Sequence, residues 1–183
     1  MDSPPIRFHG YNYNPEYFFL SNFYVLKEPI IYNNIKFYST EHLYQYMKFT
    51  HCDNDNYVYY RQCIADAKTP YFAKQLGNQR LIKYNSIYID RCNQLIECSK
   101  KHNIICNPDW ENVKIEVMGF ILLLKFRDPT LRDYLIGTGD REIIEHTQTD
   151  PYWGSGFDDK GHNYLGKLLM GLRKTFIDHP ESY

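Results

Sequence analysis

Apolar positions recur at helical spacing along most of the chain and at strand spacing in only a few short stretches. The clearest helix falls at 108–126. Asn107 supplies its cap, Pro108 its first position, and Asp109 and Glu111 first-turn acid, after which Trp110, Val113, Val117, Ile121 and Leu124 recur on one face. Ser39-Thr40 is a second capping signal, with Glu41 in the first turn, and predicts a helix running to about His51. Helices are also expected at about 56–67, after Thr69-Pro70 as far as Gly77, within 81–107, and from Asp128-Pro129 to Gly137. The last helix begins at Asn163, with Leu165, Leu168, Leu169, Leu172 and Phe176 facing the core.

Strand signals are brief. Ile6 to Phe8 reads as one short strand, and residues 30–38 as two strands around an Asn33-Asn34 turn, since Asn tolerates the left-handed conformation. Arg141 to Thr147 alternates around Ile143 and Ile144, and Pro151 to Gly161 reads as a loop. The expected class is α+β: one compact, predominantly helical domain with small antiparallel β elements. A length of 183 residues agrees with one domain able to bury a core without staples.

Composition narrows the classes further. Hydrophobic residues make up 43%, which excludes a disordered or fibrous chain, and no apolar run reaches the ~20 residues of a bilayer span. The start, MDSPPIRFHG, lacks the pattern of a signal peptide. A net charge of -1 argues against a protein that coats DNA. Five cysteines without a C-x-x-C pair supply no zinc framework and suit a reducing, cytoplasmic or nuclear compartment. Charge is segregated: seven basic residues against two acids between Lys68 and Lys101, and six acids against Arg141 between Gly139 and Asp159. The pattern reads either as a basic face and an acidic cleft or as a solvated surface. The 18 tyrosines offer flat faces with polar tips, suited to ring binding or the product of coding bias.

Three segments carry candidate chemistry. In STEHLYQYMKF (39–49), Glu41, Tyr44 or Gln45, and Lys48 share one helix face. Seven residues rise about 10.5 Å, so the acid and the amine would bracket a small group such as a sugar. Lys48 would be nucleophilic only if desolvated enough to lose its proton. Ordinary ion pairs on an amphipathic helix are the alternative. In DPYWGSGFDDKGHNYLGKLL (150–169), Gly154, Gly156 and Gly161 let a loop approach a ligand, Trp153 and Phe157 offer stacking, and the loop feeds a helix N-terminus suited to phosphate. The alternative is a glycine turn with Trp153 in the core. Third, Glu145, His146 and Asp150 form an acid-base group if burial shifts them, or caps and surface charges if it does not.

Six segments occur in order: SNF (21–23), STEHLYQYMKF, AKQLGNQR (73–80), DWENVKIEVMGFILLLKF (109–126), LIGTGDREIIEHT (135–147) and YWGSGFDDKGHNYLGKLLMGLR (152–173). Together they resemble the NADAR family, N-glycosidases acting on ADP-ribose-like or ribosyl-phosphate substrates. The resemblance implies a domain over 18–178, with a segment 1–17 ahead of it and a tail 179–183. Two departures stand out: Asn78 occupies a position where relatives often carry Arg, and 81–107 is long.

The resemblance implies cleavage of a ribosyl C1′–N bond, with Lys48 as nucleophile forming a Schiff base, Glu41 as proton shuttle, and Asp150 on the ribose hydroxyls. Expected substrate contacts are Asn22, Tyr44, Arg80, Trp110, Glu145, Trp153, Gly154, Gly156 and Asn163. No cofactor and no metal are expected. The implied substrate is ADP-ribose on a guanine base, with ADP-ribosylated DNA or RNA as partner. A phosphoribosylamino-pyrimidine of riboflavin synthesis is an alternative, as is a non-catalytic ADP-ribose reader. No membrane partner is expected.

Overall fold

The computed structural model describes residues 3–83 and 87–182. In chain order the elements are β1 (Ile6–Phe8), a 3-10 turn (Pro15–Leu20), β2 (Ile30–Tyr32), β3 (Ile35–Phe37), α1 (Thr40–Met47), α2 (Asp55–Ala65), α3 (Pro70–Gly77), α4 (Ile87–Lys101), α5 (Trp110–Lys125), α6 (Pro129–Ile136), β4 (Ile143–Glu145), α7 (Tyr164–Asp178) and a last 3-10 turn (Pro180–Ser182). Helix dominates, as the α+β class requires, and among the described residues no helix is long and apolar enough to cross a membrane. Expectations touching residues 1, 2, 84–86 and 183 lie outside the described residues. Two compact units are distinguished, Val25–Val117 and the remainder, with the division falling inside α5.

In the Val25–Val117 unit, β2 and β3 form the expected antiparallel hairpin, with Asn33 and Asn34 both at positive φ in its turn. The chain then enters α1 through Ser39, whose side chain accepts from the amide of His42. Asn54 and Thr69 cap α2 and α3 in the same way, and Pro70 opens α3. Helix α1 packs against α2 and α3, and its residues from Thr40 to Tyr46 are all buried. A helix so enclosed must satisfy its own polar groups, which makes Glu41, His42 and Gln45 the informative residues.

Helix α1 stops at Met47, short of the expected His51. Phe49 and Thr50 bond back three residues, to Tyr46 and Met47, and tighten the chain into turns. Lys48 is therefore the C-cap, and its carbonyl accepts from the amide of Asn107 at 2.7 Å. The long 81–107 stretch contributes α4, with Cys92, Ile96 and Ser99 turned inward.

The other unit is built around a pair of short strands. Strands β1 and β4 pair in parallel, Ile6 with Ile143 and Phe8 with Glu145, where antiparallel elements were expected. A parallel pair cannot be closed by a tight turn, so the turn signals that betray hairpins say nothing about it. Helix α7 packs on β4 and α6, with Leu165, Leu169 and Phe176 buried, while Leu168 and Leu172 are only half-buried. Arg173 is buried on the same face and donates to Thr138 Oγ1 and the Arg141 carbonyl. Asp128 caps α6, with Pro129 at its first turn.

Candidate functional site

The helix face read from the sequence is present on α1. Glu41 is 5% exposed, and its Oε1 accepts a 2.7 Å hydrogen bond from Gln45 Nε2 one turn on. Gln45 lies against Gly77, where a β-carbon would collide with its side chain, so the close crossing of α1 and α3 requires glycine there. Among the described residues no hydrogen-bond donor reaches the buried Gln45 Oε1. His42, at the start of the same helix, receives Ser39 Oγ on Nδ1 at 2.7 Å and meets the Ala67 carbonyl with Nε2 at 2.9 Å. That pairing fits a neutral imidazole, and burial holds its pKa below the ordinary value.

Lys48 closes the face. It is 8% exposed, and Nζ donates to Asn78 Oδ1 at 2.8 Å. The ammonium lies 5.6 Å from the Tyr44 ring centre and 6.0 Å from that of Trp110, two rings in edge contact with each other. Burial lowers the Lys48 pKa; Glu41, Cys106 and Glu111 oppose the shift and Lys74 adds to it. The arrangement favours a lysine that yields its proton more readily than one in water, with a carboxylate on its own helix.

In the other unit, Asn22 lies in a turn that follows the first 3-10 segment. It is 8% exposed, and its Nδ2 reaches the Met118 sulfur at 3.6 Å. The C-terminal block forms a tight loop. Asp150 Oδ1 accepts from the amides of Tyr152 and Trp153, at 3.1 and 2.9 Å, and so fixes the turn that carries the Trp153 indole. Gly154 sits where a β-carbon would meet Thr147 and the Glu145 carbonyl, and Gly156 has a φ of 68°. Asn163 occupies the left-handed region; its Oδ1 accepts from the Glu145 amide and its Nδ2 donates to the Ile143 carbonyl. Its carboxamide thus ties α7 to β4. Among the described residues, Asp159 is the acid within ion-pair reach of His146, at 3.6 Å, and Arg7 donates to His146 Nδ1 at 3.1 Å.

Residues 8–177 match the NADAR domain. The chain belongs to the NADAR family. N-glycosidase YbiA of Shigella flexneri is 32% identical over 165 residues, 90% of this chain and 84% of that protein. A riboflavin biosynthesis protein of Vibrio vulnificus is 38% identical over 87 residues, 47% of this chain, and the match spans only 24% of that longer protein. The NMR structure of Escherichia coli YbiA superposes with a TM-score of 0.71 at 28% identity, covering all of this chain and 90% of that one.

Within this NADAR chain, Glu41, Tyr44, Lys48 and Trp110 gather in one unit, and Asn22, Glu145, Asp150, Trp153, Gly154, Gly156 and Asn163 in the other. Arg80 is exposed just after α3. Two residues with notable side-chain contacts, Asn78 and Lys125, were not expected from the sequence. Asn78 was visible only as a departure from relatives, yet it accepts from Lys48. Lys125 was hidden in the apolar run LLLKF; a charge interrupting such a run is the signal that would have found it. A separate cavity of about 370 Å³ opens on α2, α3 and α4, lined in part by Tyr59, Lys68, Tyr88 and Arg91, and includes none of the expected site residues.

Proposed function

We propose that this chain is an N-glycosidase that hydrolyses the C1′–N bond of a ribosyl group, through a Schiff base on Lys48, with ADP-ribose on a guanine base as its substrate. The observation that carries the reading is Lys48 itself. A buried amine with a lowered pKa, flanked by Tyr44 and Trp110 and sharing a helix with the buried acid Glu41, is what covalent catalysis at an anomeric carbon needs. Membership of a family whose relatives carry the name N-glycosidase supports it.

The steps balance without an added reagent other than water. The neutral Lys48 amine attacks C1′ while the C1′–N bond to the base breaks, and Glu41 in its acid form protonates the departing base. The substituted Lys48 nitrogen then gives up a proton to the ring oxygen O4′ and expels it, leaving a C1′=N⁺ iminium. Water adds to C1′ with Glu41 accepting its proton, the Lys48 amine departs, and the ribose ring recloses. The net reaction consumes one water and releases free base and free sugar. The assignments of Asn22, Asp150 and Trp153 to substrate follow from the resemblance.

The name of the Vibrio relative favours a second reading, a phosphoribosylamino-pyrimidine as substrate. Incubation with ADP-ribosylated guanosine and, separately, with the pyrimidine intermediate, followed by chromatography, decides between them. Release of guanine from the first supports the reading stated; turnover of the second alone replaces it. No free base from either, with tight binding by calorimetry, would make the chain a reader rather than an enzyme. If nucleic acid carries the modified base, turnover on it falls steeply with salt, while turnover on a small metabolite does not.

A further inference from the structure

Lys125 is 2% exposed, among the largest fully buried side chains, and it ends α5 in the same unit as the turn that carries Asn22. Its Nζ donates to the Ser21 carbonyl at 2.9 Å and lies over the rings of Tyr24, at 5.6 Å, and Phe126, at 5.2 Å. Burial alone pushes its pKa down to about 7, and no charged group among the described residues offsets it. A buried amine without a carboxylate is costly to keep, and a core position would ordinarily take Leu or Met. What it holds accounts for its presence.

The Ser21 carbonyl and the Asn22 amide nitrogen belong to one planar peptide group, so fixing the first fixes the direction in which the chain enters Asn22. Met118, whose sulfur receives the Asn22 carboxamide, lies seven residues before Lys125 on the same face of α5. One helix face thus grips both the backbone and the side chain of the turn, and the same Ser21 carbonyl also accepts from the Tyr24 amide at 3.2 Å.

We infer that Lys125 is a positioning residue that sets the peptide carrying Asn22 and thereby the substrate-binding geometry of this turn. The inference rests on the reading of Asn22 as a substrate contact, and it makes Lys125 a determinant of binding that never touches substrate. Its removal is expected to weaken binding while leaving the fold intact.

The test compares Lys125→Met and Asn22→Ala by steady-state kinetics on the substrate turned over, with thermal unfolding at pH 6. Lys125→Met should raise KM about tenfold with kcat little changed, as for one lost substrate hydrogen bond. Its melting temperature should be equal or higher, because a buried ammonium has been removed. A Lys125→Met protein with unchanged KM overturns the inference. If Asn22→Ala itself leaves KM unchanged, the reading of Asn22 has failed; a raised KM in Lys125→Met alone would then also overturn the route through Asn22. Should Lys125→Met not fold, NMR of the unaltered protein decides. The Asn22 carboxamide resonances should move with the midpoint at which the Lys125 ε-methylene titrates, and resonances indifferent to that titration would overturn the proposal. Among the described residues, the groups facing the amine in that titration are the Ser21 carbonyl and the rings of Tyr24 and Phe126.

Discussion

Lys48 Nζ donates to Asn78 Oδ1 at 2.8 Å, so the cap residue of α3 holds the amine at the end of α1. The bond favours the charged form of a group that burial pushes toward neutrality. Asn78 is thus placed to set how readily Lys48 gives up its proton, by accepting a hydrogen bond rather than by adding charge.

Replacing Asn78 by Asp tests that balance. A carboxylate beside the ammonium stabilises the charged form and raises the Lys48 pKa. The fraction of neutral amine at pH 7.5 falls, so kcat/KM should drop roughly tenfold. Activity should return as pH rises, with the acidic limb of the profile moved to the alkaline side. Asn78→Leu should move that limb the opposite way.

His42 should matter for stability rather than chemistry. It joins Ser39, the cap of α1, to the Ala67 carbonyl beyond α2, and both its ring nitrogens are engaged. His42→Leu removes the imidazole from the buried Ser39 hydroxyl and the half-buried Ala67 carbonyl and should cost about 1–3 kcal/mol in urea unfolding. Glu41→Gln should retain near-normal stability and lose turnover.

Stability should rise with pH across two windows. The His42 pKa is lowered by burial, so between its folded value and 6.5 the unfolded chain binds a proton that the folded chain does not. The fold is weakened as pH falls through that range and gains as pH rises. Lys125 acts in the same direction between about 7 and the ordinary lysine value of 10.5, and Lys48 adds to it. Thermal unfolding from pH 5.5 to 9.5 should show this increase, and Lys125→Met should flatten its upper part. A melting temperature that falls steadily over the same range would contradict the assignment.

Gly154→Ala should disrupt the C-terminal loop. A β-carbon there meets Thr147 and the Glu145 carbonyl, and backbone cannot give way as a flexible side chain would. The variant should lose at least about 1–3 kcal/mol of stability, by the range for overpacked sites, as measured by chemical denaturation.

The parts of this architecture written in local signals were legible in the chain. Ser39, Thr69 and Asp128 each announce a helix start because a side-chain oxygen replaces a missing intrahelical acceptor, and all three do so, while the Asn54 cap of α2 emerged only from the structure. Asn33 and Asn34 announce the hairpin by the same kind of short-range chemistry. The β1–β4 pairing carries no local mark because its partners meet only through the rest of the fold. At the site, spacing alone placed Glu41 and Lys48 on one face, but it could not separate Asn163 as a ligand contact from Asn163 as the tie between α7 and β4, since one carboxamide suits either task. Lys125 was opaque for a related reason: periodicity marks it as core and its charge marks it as surface, and only the Ser21 carbonyl resolves the conflict.

In the proposed reaction the Lys48 amine bonds covalently to the anomeric carbon. Borohydride added during turnover of ADP-ribosylated guanosine, followed by peptide mass spectrometry, tests it directly. A reduced sugar adduct on Lys48 is expected, absent from Lys48→Ala, which should also be inactive. Turnover that leaves no adduct on Lys48, together with a Lys48→Ala protein of near-normal activity, would contradict it.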